Sequence, residues 1–185
     1  EVLERFEEQT PQQVEQLLGK ASQALETWRQ SSFAERGLIL RKAAELLRRN
    51  AKAYAAVMAQ EMGKPLAQGE GEVEKCAWVC DHYAEKAEEY LRPEFIATDA
   101  SKSYVRFEPL GAVLAIMPWN FPFWQVFRFA APALMAGNMI LLKHASNVLR
   151  CAVNIETLLR EAGLPAGVFQ SLILSNPRIE AVIRH

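Results

Sequence analysis

Three short apolar runs in the second half of the chain, separated by two helical patterns, limit its fold most. Residues 111–117 (GAVLAIM) are continuously apolar, and the runs at 139–142 (MILL) and 168–174 are similar. Such runs are typical of strands covered on both faces. Helical patterns occupy 125–135 and 148–162 between them. This alternation with short links predicts a βαβαβ unit, which is half of a doubly wound parallel, Rossmann-like sheet in an α/β fold.

The first part of the chain predicts a helical layer. Residues 10–13 (TPQQ) and 32–35 (SFAE) each begin with a capping residue and carry Gln or Glu three positions later, which indicates two helix starts. The apolar seam after the second start continues to Met58, which predicts one long helix ended by Gly-Lys-Pro at 63–65. A third helical pattern covers 73–91.

The composition does not favour nucleic acid or a membrane as a partner. Of 185 residues, 50% are hydrophobic and 23% are charged, and the net charge is -1. This balance gives no electrostatic reason to expect nucleic acid or an anionic membrane as a partner. The longest apolar stretch, 110–125, is interrupted by prolines and an asparagine, and no basic-then-apolar leader opens the chain. We therefore expect a cytoplasmic protein with no membrane span.

The three cysteines do not form a recognisable site in the sequence. Cys76 and Cys80 lie one helical turn apart on an apolar face, and Cys151 lies in another helical pattern. Their spacing is not that of a zinc site, and nothing indicates a disulfide framework. We expect all three to be small buried side chains and no metal to be bound.

The stretch MPWNFPF (117–123) is chemically unusual. Its two prolines restrict the backbone on both sides of Asn120. This stretch and KHAS (143–146) follow the first two predicted strands, at the edge where doubly wound sheets bind ligands. No G-x-G-x-x-G turn follows the first strand, so a dinucleotide would need another arrangement. From the residues alone, Asn120 is either a turn residue bonded to its own backbone or a side chain held for function.

Several motifs in order identify a family resemblance. The motifs PWNFPF, PALMAGN, LLKHAS, EAGLPAGVF and NPRIEAVI resemble, in order and spacing, the NAD(P)-dependent aldehyde dehydrogenase superfamily. The N-terminal helices, with E-x-GKP, look like it too, so the resemblance covers essentially the whole chain. The stretches KHAS and EKCAWVCDHYAEKAEEYL are most similar to bacterial succinate-semialdehyde dehydrogenases.

The resemblance implies roles for the residues around the two unusual stretches. Asn120 matches the amide that donates to the oxyanion formed when a cysteine thiolate attacks the aldehyde. Lys143 matches the lysine that binds the adenosine ribose hydroxyls. The backbone contacts along the cofactor correspond to Ile116, Met117, Pro118 and Trp119.

Other positions are matched less closely. Ser146 stands where many NAD-specific relatives carry a glutamate, and a hydroxyl there predicts that NADP is tolerated or preferred over NAD. Trp124 matches a wall of the substrate tunnel, with core packing as an equal alternative. Arg128 is a candidate for pairing with the carboxylate of an acidic aldehyde, with a helix-surface arginine as the alternative. His144 is expected to pack or to make a polar loop contact.

The resemblance also divides the chain. It implies that 1–92 are N-terminal helices of the cofactor-binding domain, that 93–108 are a β arm of the oligomerisation type, and that 109–185 are a partial dinucleotide-binding unit. The catalytic domain, with its nucleophilic cysteine and general-base glutamate, is expected beyond residue 185. The chain alone is then expected to be inactive.

Three functional hypotheses follow. The first is an NAD(P)-dependent aldehyde dehydrogenase, seen in part, that oxidises a small aldehyde such as succinate semialdehyde to its acid and forms homo-oligomers. The second is a noncatalytic remnant that serves as a cofactor-binding or assembly module. The third is an acylating relative that passes the acyl group to coenzyme A.

Overall fold

The computed structural model describes residue 2 and residues 4–184 of the chain. It has a helical layer, a small antiparallel hairpin and a parallel sheet with its crossover helices. The helices are α1 (Pro11–Trp28), α2 (Phe33–Arg49), α3 (Ala51–Met62), α4 (Leu66–Tyr90), α5 (Trp124–Met135), α6 (Leu149–Glu161) and α7 (Asn176–Ile183). The strands are β1 (Glu94–Phe95), β2 (Tyr104–Val105), β3 (Ala112–Met117), β4 (Met139–His144) and β5 (Phe169–Ser171).

The parallel sheet has the order β3-β4-β5. Ala112 pairs with Met139 and Met117 with His144, so β3 and β4 are in register along their whole length. β5 pairs with the other side of β4, along 140–142. β4 is therefore the central strand, and all six of its residues are buried. The predicted βαβαβ unit and α/β class are confirmed.

Two details of the predicted sheet are wrong. The first strand was expected to be covered on both faces, but Ala112 and Ile116 are exposed and only Ala115 in β3 is buried. Among the described residues β3 pairs only with β4, so it is an edge of this sheet. The run at 168–174 contains only the three strand residues of β5, although the Leu172 N–H still donates to a β4 carbonyl at 2.7 Å.

The long helix predicted after Ser32 is also wrong, because it is two helices. α2 ends at Arg49 and α3 begins at Ala51. Asn50 between them has φ -104° and ψ 12°, which lies outside the helical region. Asparagine side chains compete for backbone hydrogen bonds, so they favour such breaks.

The capping boxes at the starts of α1 and α2 are formed as the sequence predicts. The Thr10 hydroxyl accepts from the Gln13 N–H at 3.3 Å, and the Gln13 side chain accepts from the Thr10 N–H at 2.7 Å. Ser32 and Glu35 make the same reciprocal contacts. The helices that follow pack together, with α4 against α2, α3 and α5. This packing places the helical layer beside the loop from which α5 begins.

The predicted β arm contains an antiparallel hairpin of β1 and β2. Glu94 pairs with Val105 and Phe95 with Tyr104. Both strands are exposed, and the rings of Phe95 and Tyr104 lie 5.9 Å apart. The role of this hairpin in oligomerisation stays a prediction.

Candidate functional site

The segment from β3 to α5, here called the amide loop (residues 118–123), leaves the carboxyl edge of the sheet as predicted. Its first four residues are exposed, and its last two, Pro122 and Phe123, are buried. The Asn120 carboxamide is exposed, and no hydrogen bond of its side chain occurs in the described part of the chain. The structure therefore does not show the alternative in which the Asn120 side chain bonds its own backbone. The carboxamide is free to donate to a ligand.

The buried end of the amide loop is held by Glu72 of α4. The Glu72 Oε1 atom accepts from the N–H groups of Phe123 at 2.8 Å and of Trp124 at 2.9 Å. The Oε2 atom forms a buried ion pair with the ammonium of Lys64. That ammonium lies 4.0 Å from the centre of the Phe121 ring. Neither charged residue was predicted from the sequence to be part of the site.

His144, the last residue of β4, holds the loop from the sheet side. Its Nδ1 atom accepts from the Ala145 N–H at 3.0 Å, so Nε2 carries the ring proton and donates to the Pro122 carbonyl at 2.8 Å. Burial lowers the pKa of His144, which favours this neutral ring. The expectation of a polar loop contact matches this geometry.

The residues predicted to bind the cofactor lie along one edge of the sheet. In the β3–β4 register, Ile116 is opposite Lys143. Ile116 and Trp119 are about half exposed (55% and 51%), so both can contact a ligand. Ser146 is exposed just beyond the end of β4. The structure thus brings the predicted cofactor residues together, while their roles stay predictions.

Lys143 is buried, although a lysine after a strand is usually at the surface. It is still part of β4, and its ammonium donates to the Asn176 side chain at 2.6 Å. An ammonium has three N–H donors, so two remain for a ligand. Asn176 begins α7, a helix that was not predicted from the sequence, although Pro177 is a helix-start signal.

The two candidate substrate residues lie one turn apart on α5. Trp124 is half-buried, and the Lys75 ammonium of α4 lies 4.0 Å from the centre of its ring. Arg128 is exposed and lines an apolar cavity of about 460 Å³ between α4 and α5, together with Tyr83 and Tyr90. The described residues that line this cavity lie on α4 and α5 or directly after the ends of these helices. None of them belongs to the amide loop. The structure therefore does not bring Arg128 and Asn120 into one cavity.

The cysteines are unsuited to act as nucleophiles. All three are buried and free, as expected (Cys76, Cys80 and Cys151). Burial raises the pKa of each thiol, so none forms a thiolate near neutral pH. Within the described residues, no group of three or more His, Cys, Asp or Glu side chains could hold a metal ion. No helix of this part of the chain has the length and apolar character needed to cross a membrane.

These features define a class of protein. A parallel βαβαβ sheet with ligand-accessible residues at its carboxyl edge is half of a dinucleotide-binding α/β architecture. The family model described as the aldehyde dehydrogenase family matches residues 1–185. The chain belongs to the aldehyde dehydrogenase family, and the resemblance in the sequence is confirmed.

Two similar relatives are bacterial enzymes. The chain is 55% identical over 157 residues to a probable NADP(+) succinate-semialdehyde dehydrogenase of Synechocystis sp., covering 85% of this chain and 35% of the relative. It is 44% identical over 187 residues to an NADP(+) succinate-semialdehyde dehydrogenase of Mycobacterium bovis, covering all of this chain and 41% of the relative. The matches lie in the N-terminal part of these relatives.

A solved structure gives the same picture. The chain superposes on succinic semialdehyde dehydrogenase from Streptococcus pyogenes, in complex with NADP+, with a TM-score of 0.95 and 37% identity. The superposition covers 99% of this chain and 40% of the streptococcal chain. That complex contains NADP+, and the names of both relatives specify NADP(+). Both findings agree with the cofactor predicted from Ser146.

Proposed function

We propose that this chain is the N-terminal part of an NADP-preferring aldehyde dehydrogenase that oxidises succinate semialdehyde, or a similar small aldehyde with a carboxylate, to the acid. The observation that carries the proposal is the exposed Asn120 carboxamide on a loop fixed at the carboxyl edge of the sheet. The names of the relatives at 55% and 44% identity support the substrate class.

Asn120 supplies charge stabilisation in this proposal. When a thiolate attacks the aldehyde carbon, the C=O π electrons move to the oxygen, which becomes an oxyanion. The Asn120 N–H groups donate to that oxygen. Because Glu72 and His144 hold the buried end of the amide loop, little reorganisation is needed as the charge develops. The buried thiols of this chain cannot make the attack, so the nucleophile comes from elsewhere in the complete subunit.

The cofactor site fits an NADP molecule on the chemistry of its donors. The buried Lys143 ammonium makes one hydrogen bond, to Asn176, and keeps two N–H groups for ribose hydroxyls. The exposed Ser146 hydroxyl can donate to a 2′-phosphate, and no carboxylate at that position repels it. The chain near Ile116 and Trp119 is open for backbone and apolar contacts. When bound, NADP⁺ would supply the hydride acceptor for oxidation of the substrate carbon.

Arg128 is the proposed partner of the substrate carboxylate. It is exposed on α5, and its guanidinium makes no hydrogen bond or ion pair within the described part of the chain, so it is available to pair with a carboxylate. Trp124, one turn earlier on the same helix, would form an adjacent wall.

The remaining expectations belong to the same proposal. We infer a homo-oligomer that uses the exposed β1–β2 hairpin, whose side chains Phe95, Tyr104 and Val105 are about half exposed or more. A cytoplasmic location and the absence of nucleic-acid partners also stay predictions. The alternative, a noncatalytic cofactor-binding or assembly module, is supported by the buried state of the three thiols.

The test is Asn120→Ala in the complete subunit encoded by the gene. With succinate semialdehyde and NADP, we expect kcat to fall roughly 10²- to 10³-fold, because one oxyanion donor is lost. Asn154→Ala, on α6, is the matched control and should retain wild-type kcat. Unchanged kcat in Asn120→Ala would refute the proposed role, and a reading frame that ends near residue 185 would support the noncatalytic alternative.

A further inference from the structure

We propose that Glu72 and Lys64 are positioning residues that fix the amide loop and thereby aim the Asn120 carboxamide. This inference rests on the proposed function and adds two residues to it. Both side chains are buried, with 5% of Glu72 and 6% of Lys64 exposed, and they lie on the α3–α4 segment rather than on the sheet.

Glu72 determines where the loop joins α5. One carboxylate oxygen accepts from two consecutive backbone N–H groups, those of Phe123 and Trp124, which are at the start of the helix and have no intrahelical acceptor. Two short bonds to one oxygen fix the direction of the backbone there. Asn120 lies three residues before Phe123, and Pro122 between them restricts its own backbone and that of Phe121. A shift of the carboxylate therefore moves the carboxamide.

Lys64 acts on the exposed half of the loop. It pairs with the other oxygen of Glu72 and places its ammonium 4.0 Å from the centre of the Phe121 ring, directly after Asn120. Gly63, with φ 74°, ends α3 and turns the chain so that Lys64 points inward. The carboxylate and the ammonium thus contact residues 121, 123 and 124, and His144 contacts 122 from the sheet.

Stability alone does not account for a charged pair at this place. Two apolar side chains of similar volume often stabilise a core as well as a buried ion pair does, because both charges lose their hydration. What an apolar pair cannot do is bond two backbone N–H groups in a fixed direction. The geometry therefore points to positioning of the loop.

The experiment uses the complete enzyme with Glu72→Gln, an isosteric change. The amide nitrogen cannot face the Lys64 ammonium, so the side chain must give up part of its contacts. We expect kcat for aldehyde oxidation to fall roughly 10- to 100-fold, because displacements of about 1 Å have such effects. KM for the aldehyde should change less than about twofold. Glu74→Gln, at an exposed position on the same helix, is the matched control and should leave both constants unchanged.

A double-mutant cycle separates positioning from a general structural defect. If Glu72 acts through Asn120, then Glu72→Gln should lower kcat much less in an Asn120→Ala background than in the wild type. Equal fold-losses in the two backgrounds would overturn the proposal. Phe121→Leu is a second variant, and it should disturb folding less because Phe121 is 45% exposed. It should lower kcat several-fold in the wild-type background and much less in the Asn120→Ala background.

Hydrogen exchange followed by mass spectrometry gives a readout independent of activity. In Glu72→Gln, peptides that contain the amides of Phe123 and Trp124 should exchange at least about tenfold faster, while peptides of α6 should not change. Unchanged exchange would refute the positioning role of Glu72, whatever its effect on activity. Absence of aldehyde oxidation in the unmutated enzyme would instead refute the proposed function, so the two failures are distinguishable.

Discussion

Arg36 of α2 is a buried charge whose removal should strongly destabilise this chain. Its guanidinium donates to the Met135 carbonyl at 2.7 Å and to the Trp28 carbonyl at 3.1 Å, both in buried surroundings. Three further bonds, in partly buried surroundings, go to the Arg29 carbonyl and to the carbonyl and hydroxyl of Ser31. The side chain thus ties the end of α1 and the end of α5 to α2.

The magnitude follows from the two buried bonds. Hydrogen bonds to a charged group contribute about 1.5–3 kcal/mol each, so Arg36→Met should lower the free energy of unfolding by about 3–6 kcal/mol. The three partly buried acceptors can form hydrogen bonds with water when the guanidinium is removed, so they do not add to this loss. Gly137 adds a constraint at the same place, because a Cβ there would lie 3.0 Å from the Arg36 Nη atoms and its φ is 86°.

Urea denaturation followed by circular dichroism measures this loss. Arg36→Lys should lie between wild type and Arg36→Met, because the ammonium keeps the charge but not the planar fork. Arg41→Met is the control on the same helix, since Arg41 is exposed and makes one bond of 3.3 Å to the Ala84 carbonyl. If Arg36→Met were no more destabilising than Arg41→Met, the reasoning from buried carbonyls would be refuted.

Three further predictions concern the site and the thiols. Ser146→Glu should lower the preference for NADP over NAD roughly 5- to 30-fold, since a carboxylate near a 2′-phosphate costs about 1–2 kcal/mol; an unchanged ratio of affinities would remove the argument. Arg128→Ala should raise KM for succinate semialdehyde roughly 10- to 100-fold and leave KM for butyraldehyde unchanged, and equal KM values for the charged aldehyde would retire that role. The raised thiol pKa values contribute stability that is present below pH about 8.5, where unfolded cysteine ionises, and lost as pH rises above it. Because all three thiols are buried, iodoacetamide at pH 8 should label Cys76, Cys80 and Cys151 only in denaturant. Fast labelling of the folded protein would contradict their burial.

Local signals in the sequence predicted those parts of the fold that local chemistry determines. The capping boxes at Thr10 and Ser32 need only residues three positions apart, and both are formed. The βαβαβ unit was predicted because each run is apolar enough to mark its own strand. The break at Asn50 was missed because the apolar seam keeps its helical spacing across it, so periodicity carries no sign of the turn.

The position of β3 at the sheet edge could not be predicted from its composition. An apolar run reports that a strand is suited to burial, whereas exposure depends on which neighbours pair with it. Ile116 is 55% exposed for that reason.

Parts of the site were missed for a similar reason. Glu72 adjoins Val73 and lies one turn before Cys76, both on the buried face of α4, so its place at the edge of that face was a signal of burial. Its partners are distant in sequence: the bonds to Phe123 and Trp124 span 51 and 52 positions. Pairings at that distance are set by packing, which no single-helix pattern contains.

The position of the Asn120 side chain relative to the reacting oxygen tests the central claim most directly. A crystal structure of the complete enzyme with its aldehyde-derived adduct should place the Asn120 Nδ2 atom about 2.7–3.1 Å from the former carbonyl oxygen. A carboxamide turned back to bond its own loop in that complex, with the oxygen held by other donors, would contradict the account.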